Sequence, residues 1–251
     1  MDMLPARVEG NEMSNMRVIF FAAVLTIAPV RIQEPAATPG YSVKVEFENE
    51  QIRVTRVRYA PHAKSPMHGH TGRVVVAVTD THTRATTGDG ASSEAARRAG
   101  DIYWSDSVTH QGENLLDASI EVVEIEVKRA TSPSIPLAPK TIDGSKLKEP
   151  VPVEQEPHHH VVFQNQYVRV LDVLFPPGDP SLFHTHSNDN VSVAIGGDLT
   201  KSQVMGGEWS EPVKVVPGQV AFHKAKGQPY MHRVGSAGTQ AFHVIDAEIF
   251  P

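Results

Sequence analysis

Cysteine is absent from this chain of 251 residues. Its absence excludes disulfide bonds, thiolate metal ligands and a cysteine nucleophile, so any metal must be bound through nitrogen and oxygen. The chain also lacks an excess of basic residues. It has 23 lysines and arginines and 29 aspartates and glutamates, which gives a net charge of -6. A protein that tracks phosphate groups needs a basic surface. We therefore expect no nucleic-acid partner.

Apolar runs long enough to cross a bilayer are also missing. The run from Val18 to Ala28 follows Arg17 and is too short for a transmembrane helix, but it has the length of the apolar part of a secretory signal. Residues 1–40 are therefore predicted to be a signal-like segment with a disordered lead. This predicts an extracytoplasmic protein, periplasmic or secreted, with no stable membrane span. An uncleaved segment that packs on the protein is the alternative.

Two stretches of the chain repeat each other at a constant offset, and each ends in a His-x-His pair. His68-Gly69-His70 in the first copy corresponds to His184-Thr185-His186 in the second, and the match extends upstream to Phe47 and Phe163. Two copies with so long a period indicate tandem domains and not a solenoid. Each domain is expected to bury its own core.

Alternation with a period of two dominates both copies. Residues 43–47 and 120–127 alternate apolar and polar side chains in the first copy, as residues 168–173 do in the second. This pattern is typical of half-buried strands. The one helix candidate, Ser92 to Ala99, could equally be a charged hairpin tip. The chain is therefore predicted to be all-β, built as sandwiches or barrels.

Prolines divide the chain into two parts. They crowd residues 131–157, where little periodicity is present, and this composition predicts an extended linker. The first domain is then expected at residues 41–130 and the second at residues 158–251.

The His-x-His pairs and the segments that follow them resemble the two motifs of the cupin superfamily. Residues 66–70 match the first motif, and Gly178 stands six positions before His184 as that motif requires. Residues 100–114 match the second motif, and residues 218–232 match it in a lengthened form. The chain resembles a two-domain cupin. This resemblance implies two tandem cupin-type jelly-roll barrels joined by the Pro-rich linker.

Both copies depart from the cupin pattern at the metal-binding glutamate. The family places it a few residues after the His pair, where Val74 or Val75 stands in the first copy and Asn190 or Val191 in the second. The resemblance therefore implies three-His sites without a carboxylate. Asn190 could offer an amide oxygen instead, and Asp189 could reach the metal or orient His184 through its other ring nitrogen. An ordinary polar turn is the alternative.

Histidines at alternate positions of a strand project to the same face, so each His-x-His pair places two imidazoles side by side. A later histidine in each copy can close the triangle. Neutral imidazoles without thiolate suit a divalent transition metal such as Fe, Zn, Mn, Ni or Cu, and three protein ligands leave a coordination position open. The predicted metal ligands are His68, His70, His110, His184, His186 and His232.

The remaining histidines are predicted to lie outside these sites. The three histidines at 158–160 are interpreted as solvated, and His223 as a surface residue at a strand end. The second domain is expected to have the more complete site, because Asp189 and Asn190 add oxygen donors there.

Architecture alone does not select a function, because cupin-like barrels host dioxygenases, isomerases, decarboxylases, lyases and binding proteins. Three-His sites without a carboxylate look like those of thiol and β-diketone dioxygenases in the superfamily, which implies a metal-dependent oxidoreductase acting on a small organic molecule. A non-catalytic binder of a small molecule or metal is the first alternative. A metal-dependent isomerase or lyase is the second, and it requires Glu113, Tyr103 or Tyr230 to point at the substrate. A homo-oligomer is also an expected assembly, since such barrels often pair through edge strands.

Overall fold

The computed structural model describes residues 38–138 and 148–251. Nearly all of the signal-like segment predicted for residues 1–40 lies outside the described residues, as do residues 139–147 of the predicted linker. Apart from one turn of 3-10 helix at Val153–Gln155, every regular element in the described ranges is a β-strand. A helix with the length and apolarity of a membrane span is not found in these ranges.

The first repeat forms two antiparallel sheets. The larger sheet has the strand order β1-β2-β9-β4-β7 and the smaller has the order β3-β8-β5-β6. The helix candidate at Ser92–Ala99 is largely a strand, since residues up to Arg97 pair with β5 in a hairpin. The strands are β1 (Tyr41–Glu48), β2 (Ile52–Tyr59), β3 (His68–His70), β4 (Arg73–Ala77), β5 (Thr81–Thr87), β6 (Ser92–Arg97), β7 (Ile102–Ser105), β8 (Val108–Asn114) and β9 (Ile120–Val127).

The second repeat builds the same two sheets with one strand more. The orders are β11-β12-β19-β14-β17 and β10-β13-β18-β15-β16, so every strand of the first repeat has a counterpart at the same place. The extra strand β10 pairs in parallel with β13. The strands are β10 (Val151–Pro152), β11 (His159–Gln164), β12 (Val168–Phe175), β13 (His184–His186), β14 (Asp189–Gly196), β15 (Leu199–Val204), β16 (Val213–Lys214), β17 (Val220–His223), β18 (Tyr230–Ser236) and β19 (Phe242–Ile249).

The prediction of an all-β chain with two tandem jelly-roll barrels is confirmed by this duplicated topology. Strand β2 shows how the sequence specifies these strands. Ile52, Val54 and Val57 are buried, whereas Arg53 and Arg56 between them are partly exposed. β-branched residues favour strands because they fit a pleated, half-buried surface.

The two barrels share a hydrophobic core. One cluster of buried apolar side chains draws on both repeats, and each repeat also has a smaller cluster of its own. At the boundary the ring of Phe47 stacks on that of Phe222 with centroids 4.2 Å apart, and Trp104 stacks on Tyr167 at 5.7 Å. The expectation that each domain buries its own core is therefore incomplete, because the larger part of the buried apolar surface is common to both.

The described parts of the proline-rich segment contact the second barrel. The backbone N–H of Leu137 donates to the carbonyl of Gln164 at 2.8 Å, and that of Val151 donates to the carbonyl of Phe183 at 2.9 Å. Val151 and Val153 are buried. Residues 148–157 thus form part of the wall of the second barrel, beside the strand that carries its His-x-His pair.

Candidate metal centres

The first barrel brings its three predicted ligands together. His68 and His70 lie on β3, and His110 lies opposite His68 on β8. The ring centroids are 4.6 Å apart for His68 and His70, 4.9 Å for His68 and His110, and 5.3 Å for His70 and His110. One ring nitrogen of each lies within 4.8 Å of the other two, a spacing that could hold a metal ion.

Hydrogen bonds fix the protonation of two of these rings. His68 Nδ1 lies 2.7 Å from the carbonyl of Pro66, and His70 Nδ1 lies 2.6 Å from Glu126 Oε1. Both partners only accept hydrogen bonds, so each Nδ1 carries the ring proton and each Nε2 keeps a free lone pair. His70 Nε2 is buried and has no hydrogen-bond partner in the part of the chain that the structure describes. A metal ion would satisfy it.

Arg73 stands beside this group and was not anticipated from the sequence. Its side chain is 3% exposed, its Nε lies 3.3 Å from Glu124 Oε1, and its Nη2 lies 3.5 Å from His110 Nε2. Val74, predicted to occupy the position of the family's glutamate, is instead buried in the hydrophobic core. Burial, and next the charge of Arg73, lower the pKa of His110 to about 4.

The second barrel gathers four imidazoles. His184 and His186 lie on β13, and His232 faces His184 from β18. The ring centroid of His232 is 4.6 Å from that of His184 and 5.2 Å from that of His186. His159, on β11, lies 4.5 Å from His184 by the same measure. His159, His184 and His186 each offer a ring nitrogen within 4.8 Å of the others.

The interpretation of residues 158–160 as solvated is wrong for His159, which is only 7% exposed. It is held by Glu156, whose carboxylate lies 2.6 Å from His159 Nδ1 and also accepts the backbone N–H groups of His158 and Leu182. Burial alone would raise the pKa of Glu156, but these hydrogen bonds lower it to about 2. Glu156 therefore stays ionised and leaves the Nε2 of His159 free to bind.

Two further contacts orient the His-x-His pair of this barrel. His184 Nδ1 donates to the carbonyl of Leu182 at 3.0 Å. His186 Nδ1 lies 2.7 Å from the amide nitrogen of Asn190. Rotation of that amide by half a turn would place its oxygen there, so that His186 donates from Nδ1 and presents Nε2 to the cavity. Asp246 Oδ2 lies 3.2 Å from the same amide nitrogen, and burial raises the pKa of Asp246 well above its usual value.

The two additional donors expected in this barrel have different places. Asn190 contacts the ring of His186 from behind and acts as its orienting partner. Asp189 Oδ1 accepts the backbone N–H groups of Ala225 and Lys226, both at 2.8 Å, and so ties down a loop. The predicted role of Asp189 in orienting His184 is wrong, because His184 Nδ1 faces a backbone carbonyl.

Burial keeps the imidazoles of the second barrel neutral. The pKa of His184 is lowered to about 3 and that of His232 to about 4, in both cases first by burial and then by the neighbouring His159. Burial also lowers the pKa of His186. The Nε2 atoms of His184 and His232 are buried without a hydrogen-bond partner among the described residues. Neutral rings with free lone pairs are the form that binds a transition metal.

The four imidazoles face a cavity of about 240 Å³. Phe175 and Phe242 contribute apolar walls, while Thr200 and Ser202 contribute hydroxyl groups. Tyr230 stacks on His186 with ring centroids 4.8 Å apart. This combination of a mostly apolar lining and a few polar groups is typical of a site for a small organic ligand.

Of the three residues proposed for isomerase or lyase chemistry, one lines the cavity of the second barrel and two do not. Glu113 pairs with Arg84 at 2.9 Å and with Lys64 at 3.3 Å, so it is engaged in ion pairs. Tyr103 lines a separate cavity of the first barrel. Tyr230 alone of the three lines the cavity with the four imidazoles.

Comparison with known proteins supports the fold and leaves the activity open. No protein-family model and no curated protein matches the chain. Among solved structures, AerE from Microcystis aeruginosa is similar with a TM-score of 0.59 at 14% identity, over 86% of this chain and 95% of that one. A cupin 2 conserved barrel domain protein from Leptotrichia buccalis has a TM-score of 0.52 at 12% identity, over 86% and 91%.

Oxalate decarboxylase from Bacillus subtilis, in a structure concerned with its Mn(II) centres, has a TM-score of 0.51 at 12% identity, over 80% of this chain and 69% of that one. Such identities establish the fold alone. With two jelly-roll barrels in tandem and a group of histidines inside each, the chain has a fold similar to that of these cupin-type structures.

Proposed function

We propose that the protein is a metal-dependent oxidoreductase, of the dioxygenase type, which acts on a small organic molecule in the second barrel. The observation that carries this proposal is the convergence of three buried imidazoles and the half-buried His232 on one cavity, with orphaned Nε2 atoms on His184 and His232. An unpaired buried polar atom is costly, and a bound ion would remove that cost. His159, His184, His186 and His232 would hold the ion.

The donor set fits a divalent transition metal such as Fe, Zn, Mn, Ni or Cu. Manganese gains support from the Mn(II) centres of the structurally similar oxalate decarboxylase. When bound, the ion would supply an electrophilic centre that polarises a donor atom of the substrate.

The surrounding side chains would bind and orient the substrate. Phe175 and Phe242 keep the cavity apolar and so strengthen each polar contact made inside it. The hydroxyls of Thr200 and Ser202 can hydrogen-bond to a substrate. Burial raises the pKa of Tyr230, so its phenol keeps its proton and can donate a hydrogen bond beside His186.

Metal binding is tested first, by elemental analysis of the full chain after reconstitution with Fe²⁺, Mn²⁺ or Zn²⁺. The variant His159→Ala should lower the metal content of the second barrel, because it removes a buried imidazole next to His184. His160→Ala is the matched control: the neighbouring side chain is exposed, and the metal content should not change. Equal metal content in both variants and the parent would contradict the role of His159.

Activity is tested by oxygen consumption of the reconstituted protein with β-diketones, flavonols and thiols. We expect uptake with at least one class, and loss of that uptake in His184→Ala. A protein that binds metal but consumes no oxygen with any of them would refute the oxidoreductase proposal.

A non-catalytic binder is the second candidate, and one observation favours it over an isomerase or lyase. Tyr230 is the candidate base that lines the cavity, and burial raises its pKa, so its phenol is not ionised as a general base at neutral pH. Native mass spectrometry of the purified protein would support this candidate if a small molecule remains bound and is released unchanged.

A further inference from the structure

One equivalent position in the interior of the two barrels is occupied by residues of different charge. Arg73 lies opposite Glu126 in the β4-β9 pair, and Asn190 lies opposite Glu248 in the β14-β19 pair. Because β9 and β19 are counterparts, Arg73 and Asn190 occupy the same place in the two barrels. An amide stands behind the histidines in the second barrel, and a guanidinium stands there in the first.

The guanidinium of Arg73 is incompletely satisfied. Its side chain is only 3% exposed. Of its three nitrogen atoms, only Nε is close to a carboxylate, at 3.3 Å from Glu124 Oε1. Its Nη1 atom is buried and has no hydrogen-bond partner in the described ranges. Its Nη2 atom has one long contact, 3.5 Å from His110 Nε2. A buried cation with unused donors is costly unless an anion accepts them.

Arg73 borders a cavity of about 550 Å³ that is separate from the cavity of the second barrel. The other charged side chains that line it are Arg97 and Asp106. Arg97 lies over the ring of Tyr103, 3.8 Å from its centroid. The Asp106 carboxylate is already engaged, since its Oδ1 accepts the indole N–H of Trp104 at 2.6 Å. Two arginines against one aspartate give this lining a net positive charge.

Hydroxyl groups complete the lining. They can donate to an anion or accept from its polar substituents. They belong to Thr83, Thr87, Ser92, Ser93, Ser105 and Ser107.

We propose that the cavity of the first barrel binds a small organic carboxylate, anchored by the guanidinium of Arg73. The planar guanidinium pairs with the two oxygens of a carboxylate through parallel hydrogen bonds. With Nε taken by Glu124, the side of the group that carries Nη1 and Nη2 remains for the ligand. Because Glu124 offsets part of the charge of Arg73, the site suits a monoanion better than a phosphate dianion. The proposal does not depend on the oxidoreductase activity assigned to the second barrel.

Binding is measured on the full chain by saturation-transfer NMR titration with acetate and benzoate, and with their neutral amides acetamide and benzamide. Each pair has nearly the same shape and differs in charge. We expect at least one carboxylate to bind tenfold or more tightly than its amide. Equal affinity of acid and amide, tighter binding of inorganic phosphate, or no binding of either carboxylate would each overturn the proposal.

Two variants locate the site. Arg73→Gln should weaken carboxylate binding at least tenfold, whereas Arg98→Gln, which removes the same charge from an exposed neighbour of Arg97, should leave it unchanged. Arg73→Lys keeps the charge and should retain part of the affinity. The comparison of acid with amide in the unaltered protein stays decisive if Arg73→Gln does not fold.

The titration is repeated after removal of metal with a chelator. Persistence of carboxylate binding, with its dependence on Arg73, supports the proposal whether or not the second barrel proves to be an oxidoreductase. Binding that requires metal and survives Arg73→Gln would assign the anion to a metal centre and refute the role of Arg73.

Discussion

Five of the seven histidines of the candidate centres are oriented by a contact of the Nδ1 atom. A backbone carbonyl holds His68 and His184, and a carboxylate holds His70 and His159. His186 is the exception, because an amide stands at its Nδ1. These contacts decide which nitrogen faces the interior, and such outer partners of metal ligands commonly change metal affinity by about 10- to 100-fold when removed.

Burial of these rings predicts the pH dependence of stability of the metal-free protein. The pKa of His184 falls from 6.5 to about 3 and that of His232 to about 4 on folding. Between these values the unfolded chain binds more protons than the folded one, so the free energy of unfolding decreases as pH falls. Above 6.5 both states are neutral and the contribution is constant. The urea midpoint of the chelated protein should therefore drop between about pH 7 and about pH 5.

The variant that combines His184→Asn with His232→Asn is the control and should show a weaker pH dependence. His158 acts in the opposite direction, because its hydrogen bonds to Glu156 and Asp179 outweigh burial and raise its pKa. A midpoint in the parent protein that is constant or rises on acidification would contradict the prediction.

The sequence could predict the His-x-His pairs and their cross-strand partners, because strand periodicity and duplication both specify them. His159 was accessible too, since it has the same strand parity as Val161, which packs against the smaller core cluster of the second barrel. Its role depends on Glu156, which precedes it on a short turn that has no periodic signal. That contact could not be inferred without the fold.

At the scale of elements, the residues of β4 and β14 that occupy equivalent pairing positions lie at different distances from their His-x-His pairs. Arg73 is three residues beyond His70, whereas Asn190 is four residues beyond His186. A shift of one residue in a strand exchanges its two faces. Aligning the two repeats without a gap therefore pairs Asn190 with Val74 and not with Arg73. For this reason the sequence predicts the strands but not the position of Arg73 in the site.

Strand β10 and the turn after it are expected to contribute to stability, although they lie in the segment predicted as a linker. Val153 is 1% exposed and packs in the smaller core cluster of the second barrel. Val153→Ala removes two methyl groups and should lower the free energy of unfolding by about 1–2 kcal/mol, measured by urea denaturation.

Val162→Ala is the matched control for this element, because Val162 is 51% exposed. Its effect should stay within about 0.5 kcal/mol. Equal effects of the two substitutions would show that residues 148–157 do not belong to the folded barrel.

At the scale of the whole molecule, the shared core couples the two barrels. The cluster that includes Val54 and Val74 of the first barrel continues into Val170 and Val191 of the second. The duplicated sequence predicts two domains, but it could not reveal this packing, since apolar strand residues look the same whether they face their own barrel or its neighbour.

We therefore expect one cooperative unfolding transition for both barrels in calorimetry of the metal-free chain. Phe47→Ala removes the ring that stacks on Phe222. It should lower the free energy of unfolding of the whole chain by about 2–3 kcal/mol, evaluated at the midpoint of the single transition. Two resolved transitions, with only one shifted by the substitution, would contradict this coupling.

The stacked pair of Phe47 and Phe222 also bears on how the repeats diverged after duplication. A substitution that changes side-chain volume at this contact in one repeat alters the packing of the other repeat. It therefore requires a compensating substitution in the other repeat. The barrel interiors carry no such reciprocal constraint. The difference between Arg73 and Asn190, at equivalent positions inside the two barrels, is the kind of divergence that this freedom permits.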